Sequence, residues 1–243
     1  VGTEITVVHL TRMREDRICV AGITGDGDQL RPVLDGPWRR SHLAPGGPLE
    51  VGAVVDLGPT APRPQPPEVE DALVLRPSAV TSRGRLTDAA FWSLVSRHAR
   101  PTLREIFGPD LRPSGRAGAG VPRGSGSASL GCLRPDWARL EVRADPDGGR
   151  CLRVHLYDPD LRDLDLSLTD VRLHDTGNQP VDPLVRAAQN RLRAGEEVIL
   201  AVGLTRAYVS RDGTASLHWL QVNNLHFRDY FDDHPSHAPH RPR

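Results

Sequence analysis

A chain of 243 residues can bury one large core or two small ones, and its 23 glycines, 22 prolines and 5% aromatic content favour many short strands and turns over a helical bundle. Its 31 basic residues are all arginine and are matched by 31 acidic ones, a balance that argues against strong sequence-independent binding to polyanions. Cys19, Cys132 and Cys151 are too far apart for a disulfide framework or zinc knuckle, and there is no leader-like segment or long apolar run, so a cytoplasmic protein without a membrane partner is expected.

Residues 4–13 and 17–24 form a predicted hairpin bent at Arg14-Glu15-Asp16, and a tight turn at 25–28 leads into a third strand at 29–33. Pro32 places that strand at an edge or end, because proline cannot donate to a ladder. Asp26 and Asp28 resemble a fragment of a calcium loop, but the other ligands are missing and a plain turn is expected. The polar loop 35–50 holds Trp38, Arg39, Arg40 and His42, which suits a stacked base and a held phosphate; a tryptophan plugging a barrel end is the structural alternative. Strands at 51–59 and 68–75, separated by the stiff APRPQPP bridge, complete a first five-stranded unit over 1–80.

Residues 81–128 are expected to connect the halves. Thr87 caps a helix with Phe91, Leu94 and Val95 on one face beside His98, and a second turn carries Leu103, Ile106 and Phe107 before Gly108 ends it. The stretch 112–129, rich in glycine, serine and arginine, is expected to be mobile. From Arg76 to Arg143 there are 12 arginines against 5 acidic residues, which makes either a phosphate-contacting middle or a solvated linker.

A second unit is expected over 129–231. Strands at 137–143, 151–158 and 166–173 precede a helix at 182–195, with Asp182 as N-cap, Pro183 in its first turn and Gly195 as its stop. Strands at 197–208 and 215–227 follow, joined by a turn containing Asp212-Gly213. Three strands, a helix and two strands make the order of an OB barrel. The tail 232–243 is expected to be disordered, and its histidines at 234, 237 and 240 fix no metal geometry.

Alternation along the last strand puts His218, Leu220, Val222, Asn224 and His226 on one face, with Trp219, Gln221 and Asn223 on the other. If Leu220 and Val222 point inward, Trp219, Gln221 and Asn223 make a stacking surface and two amides for reading bases; the opposite orientation buries Trp219. Thr205 and Arg206 on the neighbouring strand add a hydroxyl and a guanidinium. Thr11, Arg12, Arg31, Trp38 and Arg40 are the matching candidates in the first half, with a structural ion pair as the alternative for Arg31. No nucleophile, base and orienter can be tied together, and His155 to Asp160 is more simply an acidic turn, so neither enzyme, metal nor cofactor is expected.

His9-Leu10-Thr11-Arg12 is echoed by Gly203-Leu204-Thr205-Arg206. Together with ICVAGI (18–23), QLRPV (29–33), IFGPDL (106–111), SLGCL (129–133), AVGLTRAY (201–208) and HWLQVNNLHF (218–227), the chain resembles the bacterial dual OB-containing domain family. That resemblance implies a mainly β protein of two OB-like five-stranded barrels joined by a short helical connector, with one helix inserted in the second barrel. It also implies a role in binding nucleic acid or nucleotides, and it carries over no catalytic residue. The expected function is a non-catalytic module that grips a single strand through arginines and stacks bases on Trp38 or Trp219. The alternatives are an adaptor for a protein partner, such as a nuclease or ATPase of a multi-subunit system, and a nucleotide sensor with a pocket between the barrels.

Overall fold

The computed structural model describes residues 2–145, 148–209 and 216–229, and its two sheets follow the two halves of the chain. Strands β1 (Glu4–Arg12), β2 (Arg17–Thr24) and β3 (Gln29–Val33) form an antiparallel meander. β4 (Ala53–Asp56) pairs with β1, and the chain then continues into β5 (Thr60–Pro62). β6 (Asp71–Val74) pairs with β5 and runs parallel to β3, so β4 and β5, consecutive in the chain, lie on opposite sides of the hydrogen-bonded path β5-β6-β3-β2-β1-β4. β7 (Thr81–Arg85) extends the edge at β4.

β1 is buried without interruption from Val7 to Thr11, because one face fills the first core and the other meets the second half. A bulge at Val8 lets it do both. Gly22 of β2 lies opposite, where an added Cβ would stand 2.2 Å from the Thr6 carbonyl oxygen. Gly22→Ala is therefore expected to push β1 and β2 apart and cost about 1–3 kcal/mol, the usual range for overpacking; an unchanged urea midpoint would show that the hairpin can absorb the methyl.

The connector folds as its caps predict. Thr87 Oγ1 accepts from Ala90 N at 3.3 Å to start α1 (Asp88–His98), and Thr102 Oγ1 accepts from Glu105 N at 3.3 Å to start α2 (Leu103–Phe107). Phe91, Trp92 and Val95 of α1 enter the first core while Leu103 and Phe107 of α2 enter the second, so the connector fastens both. His98 is a half-buried neighbour of the Gly27 turn.

Residues 112–122 are not a free loop. They form a hairpin of β8 (Arg112–Ser114) and β9 (Gly118–Pro122), and β9 pairs with the final strand. Ala119 and Val121 point into the second core, while Gly120 lets the backbones approach where a Cβ would stand 2.9 Å from His218 O.

The second half continues through β10 (Leu130–Leu133), β11 (Ala138–Ala144), β12 (Arg150–Asp158), β13 (Arg162–Leu168), α3 (Asp182–Arg193), β14 (Ile199–Leu204) and β15 (Ser216–His226). β11, β12 and β13 form a meander, β13 meets β15 in parallel, and β15 pairs antiparallel with β14. β14 then pairs with β10 rather than with β11, so the extra strand takes the place of the barrel's closing pair. Val185 and Ala188 of α3 are buried in this core, and Gln189 Nε2 donates to Leu140 O of β11 at 3.1 Å. The N-cap of α3 is Val181, and Asp182 is its first residue. The expected Asp212-Gly213 turn and the histidine tail lie outside the described residues. No helix among the described residues is long and apolar enough to cross a membrane.

β1 and β15 meet at a polar seam. Leu10 N donates to Asn224 Oδ1 at 2.7 Å and Asn224 Nδ2 donates to Leu10 O at 3.1 Å, so one amide holds both backbone groups of Leu10. His226 Nε2 donates to Val8 O at 3.0 Å, and Asn223 Nδ2 donates to His9 Nδ1 at 3.0 Å. Asn223 is the extra residue of a bulge, since Ala201 faces Asn224 while Val202 faces Val222. The bulge resets the alternation, so Leu220 and Val222 share the second core with Leu225 and Phe227.

Candidate nucleic-acid interface

A cleft of about 1330 Å³ lies between the halves. Thr11 and Arg12 at the end of β1 form part of one wall, and Thr205 and Arg206 after β14 form part of the other. The repeated Leu-Thr-Arg thus presents its polar residues from both halves to one space. Among the described residues, Arg14, Arg17, Arg31 and Arg63 complete a lining of six arginines, against which Asp71 is the one lining carboxylate.

The floor of the cleft is electrically balanced. Arg31 Nε donates to Asp71 Oδ1 at 2.5 Å, and Arg206 donates to Asp71 Oδ2 at 2.7 Å and lies 3.1 Å from Glu68 Oε1. His218 Nδ1 is within 3.0 Å of Thr205 O and 3.2 Å of Glu68 Oε1. Beside this network Glu70 accepts from Ser129 N and Ser129 Oγ, both at 2.7 Å. The carboxylates of Glu68, Glu70 and Asp71 in the first half therefore latch groups of the second. Arg31 realises the structural ion pair rather than a free ligand-binding side chain, and Arg206 holds the halves together as well as facing the cleft. Positive charge available to a ligand comes from Arg12, Arg14, Arg17 and Arg63. Arg17 pairs with Glu15 in a solvent-exposed contact at 3.1 Å, an interaction of small net strength.

The expected aromatic platforms are placed differently. Trp38 lines the cleft but its ring is buried, its Nε1 donates to Pro32 O at 2.9 Å, and His42 meets it edge-on. It plugs the barrel end and is not free to stack a base. Trp219 does face away from the core, as the inward orientation of Leu220 and Val222 requires, but it stands behind Tyr208, with ring centroids 5.9 Å apart and planes tilted by 33°. Tyr208 lines the cleft, with about half of its surface exposed. Gln221 also lines it, its Nε2 donating to Asn223 Oδ1 at 2.9 Å, while Asn223 is itself buried against His9. Arg40 does not line the cleft; its Nη2 donates to Asn178 Oδ1 at 3.1 Å. Burial raises the thiol pKa of Cys19, which also lines the cleft.

Residues 4–225 match the profile of the dual OB-containing domain. The chain belongs to the dual OB-containing domain family. No characterised protein gave a match along this sequence. The dual OB assignment accounts for both barrel-like sheets, and the cleft lies where its two units meet.

Arg14, Arg17, Arg63 and Tyr208, which line the cleft of this dual OB protein with charge and an aromatic ring, were not among the sequence candidates. The first two sit at the β1–β2 bend and Arg63 in the proline-rich bridge, positions where an arginine ordinarily looks like surface. The arginine-rich middle supplies none of the six lining guanidiniums. Several of its members make ion pairs with carboxylates, as in Arg83–Asp56 at 2.6 Å, Arg134–Glu197 at 2.5 Å and Arg143–Asp165 at 2.5 Å. In the acidic turn Asp158 is buried rather than solvated and accepts from Leu103 N, Asp160 N and Leu161 N.

Proposed function

We propose that this dual OB protein is a non-catalytic module that binds a single nucleic-acid strand along the cleft between its halves. The observation that carries this reading is the concentration of arginines on one concave surface built by both halves, in a protein with no net charge. Arg12, Arg14, Arg17 and Arg63 face the phosphates, and Tyr208, backed by Trp219, offers the ring on which a base stacks. The cleft exceeds the 300–1,000 Å³ typical of a small-ligand pocket, which suits a strand better than one nucleotide. Among the described residues, the exposed large apolar side chains are Met13, Val69, Leu75, Trp137 and Tyr208, on separate segments, and two of them line the cleft. That distribution favours a ligand in the cleft over an apolar docking face for a protein partner.

Anisotropy titrations of labelled single-stranded DNA, single-stranded RNA and duplex DNA across a salt series test this reading. Single strands are expected to bind with a salt slope of about −0.7 per neutralised phosphate. Arg14→Gln with Arg63→Gln should flatten that slope by about 1.4, and Tyr208→Ala should weaken binding by about 1–3 kcal/mol at any salt concentration. No binding at low salt, or binding indifferent to all three substitutions, would sink the proposal.

A further inference from the structure

Thr205, Arg206, Tyr208 and Gln221 all line the cleft, and strand pairing sets them side by side on its second-half wall. Leu220 and Val222 point into the second core, so Gln221 and Trp219 share the opposite face of β15. Gly203 of β14 stands opposite Gln221. Thr205 stands opposite Trp219, its N donating to Trp219 O at 2.9 Å and its Oγ1 accepting from Trp219 N at 3.0 Å. Thr205 and Gln221 are therefore diagonal neighbours across two strands. Tyr208 pairs with Leu217, and its ring lies against that of Trp219, whose Nε1 donates to Tyr208 O at 3.4 Å.

Arg206 and Tyr208 offer this wall two flat surfaces. The Arg206 side chain is 56% exposed, yet its Nη2 donates to Asp71 Oδ2 at 2.7 Å and its Nη1 lies 3.1 Å from Glu68 Oε1. With those in-plane groups committed to carboxylates, the surface Arg206 keeps for a ligand is the face of the guanidinium, which stacks on bases as an aromatic ring does. The Cα atoms of Arg206 and Tyr208 are separated by at most about 7 Å of chain. That is about twice the 3.5–4.0 Å of one carbon contact, and it matches one base inserted between two flat groups.

The hydrogen-bonding groups beside them have fixed polarity. His9 Nδ1 accepts from Asn223 Nδ2 at 3.0 Å, and Asn223 Oδ1 accepts from Gln221 Nε2 at 2.9 Å. This relay leaves Gln221 Oε1, an acceptor, for the cleft. Gly203 makes room for it, since a Cβ there would stand 2.5 Å from Asn223 Nδ2. Thr205 Oγ1 already accepts from Trp219 N, so its hydroxyl proton is left to donate. One acceptor beside one donor matches the Watson–Crick edge of adenine, where N6–H donates and N1 accepts. Guanine, cytosine and thymine each carry a third polar group on that edge, and it would be left without a partner. A purine also covers more of the two flat surfaces than a pyrimidine.

We propose that this wall is an adenine site for an unpaired base, which is held between the Arg206 guanidinium and the Tyr208 ring and read by Gln221 Oε1 and the Thr205 hydroxyl. This deepens the strand-binding reading, in which Tyr208 is already a stacking ring, and rests on it.

The full chain is titrated with a labelled DNA strand that is abasic throughout, and with the same strand carrying a single adenine, guanine, thymine or unsubstituted purine. One adenine is expected to tighten binding at least about tenfold over the abasic strand, within the range of one stacked base. Unsubstituted purine, which stacks but lacks the N6–H, should recover only part of that gain, and guanine and thymine should fall below adenine. Arg206→Lys keeps a positive charge beside Glu68 and Asp71 but has no flat face, so it should cut the adenine gain. Gln221→Leu should bring adenine and unsubstituted purine to the same affinity. Each variant is referred to its own abasic strand, and the wild-type series decides the matter without either variant. Equal affinity for all five strands overturns the proposal while leaving strand binding intact. Guanine or thymine matching adenine overturns the edge assignment, and an adenine gain untouched by Arg206→Lys overturns the sandwich. If no strand binds but adenosine monophosphate raises the Tm and ribose 5-phosphate does not, the site takes a free nucleotide and the strand reading falls; if neither raises it, both readings fall.

Discussion

Lowering the pH from 7 to 5 is expected to remove several kcal/mol of stability, because three histidines are buried in the neutral form. Burial pushes the pKa of His9 and His226 down to about 3 and that of His174 to about 4. An unfolded histidine titrates near 6.5, so between that value and the folded pKa the unfolded chain holds a proton that the folded chain refuses, and stability falls as pH falls. By pH 5 each histidine costs about 2 kcal/mol relative to pH 7, a large part of the 5–15 kcal/mol of a typical domain. Carboxylates such as Asp170, held below their ordinary pKa, add to the loss only as pH approaches 4 and below, so the window from 6.5 to 5 belongs to the histidines. Urea denaturation at pH 7, 6 and 5 checks this. His226→Gln can keep the bond to Val8 O through its amide and should remove about a third of the slope; a midpoint independent of pH over this range would mean that the histidines are hydrated in the folded state.

The same seam marks the limit of what the sequence made legible. All three helices and the expected strands other than that at 166–173 follow from alternation, caps and turn residues, since each depends on neighbours close in the chain; the strand expected at 166–173 instead runs over Arg162–Leu168 and gives way to the turn Val171–Leu173. The bulges at Val8 and Asn223 do not follow in this way, because they answer to a surface made by the other half. Strict alternation therefore separates Leu220 and Val222 from Leu225 and Phe227, although all four share one core. The hairpin 112–122 was hidden for a related reason: Ala119 and Val121 are too small and too few to announce a strand, and their pairing partner lies about a hundred residues on. Eight of the ten candidate side chains do converge on one cleft, with Arg40 and Trp219 standing outside its lining. The echoed Thr-Arg pairs were the visible part of that site. Its free charge was not, since the partnering of Arg31 and Arg206 depends on carboxylates at 68–71 that sequence spacing cannot aim.

Asp170→Ala should be among the most damaging single substitutions, at about 3–5 kcal/mol, the usual consequence of stranding one member of a buried ion pair. Asp170 is fully buried, accepts from Arg172 Nε at 2.9 Å and Nη2 at 2.7 Å, and also accepts from the backbone N of Leu225 at 3.1 Å and of Arg172 at 3.1 Å. Removing it takes from the Arg172 guanidinium the carboxylate that accepts from both its Nε and Nη2, and leaves two N–H groups without their acceptor, beside a β-bridge from Asp170 to Thr11 of the other half. Arg172 keeps its bond to Leu225 O at 2.7 Å, and the double variant Asp170→Leu with Arg172→Met should recover much of the loss by removing both charges. A urea midpoint lowered by less than the equivalent of about 1 kcal/mol would show that water replaces the carboxylate. The consequence reaches the cleft, because Thr11 and Arg12 stand on one side of this bridge and Thr205 and Arg206 on the wall opposite. Strand affinity and stability should therefore fall together in Asp170→Ala, whereas Arg14→Gln, which alters an exposed side chain, should lower affinity and leave the urea midpoint in place.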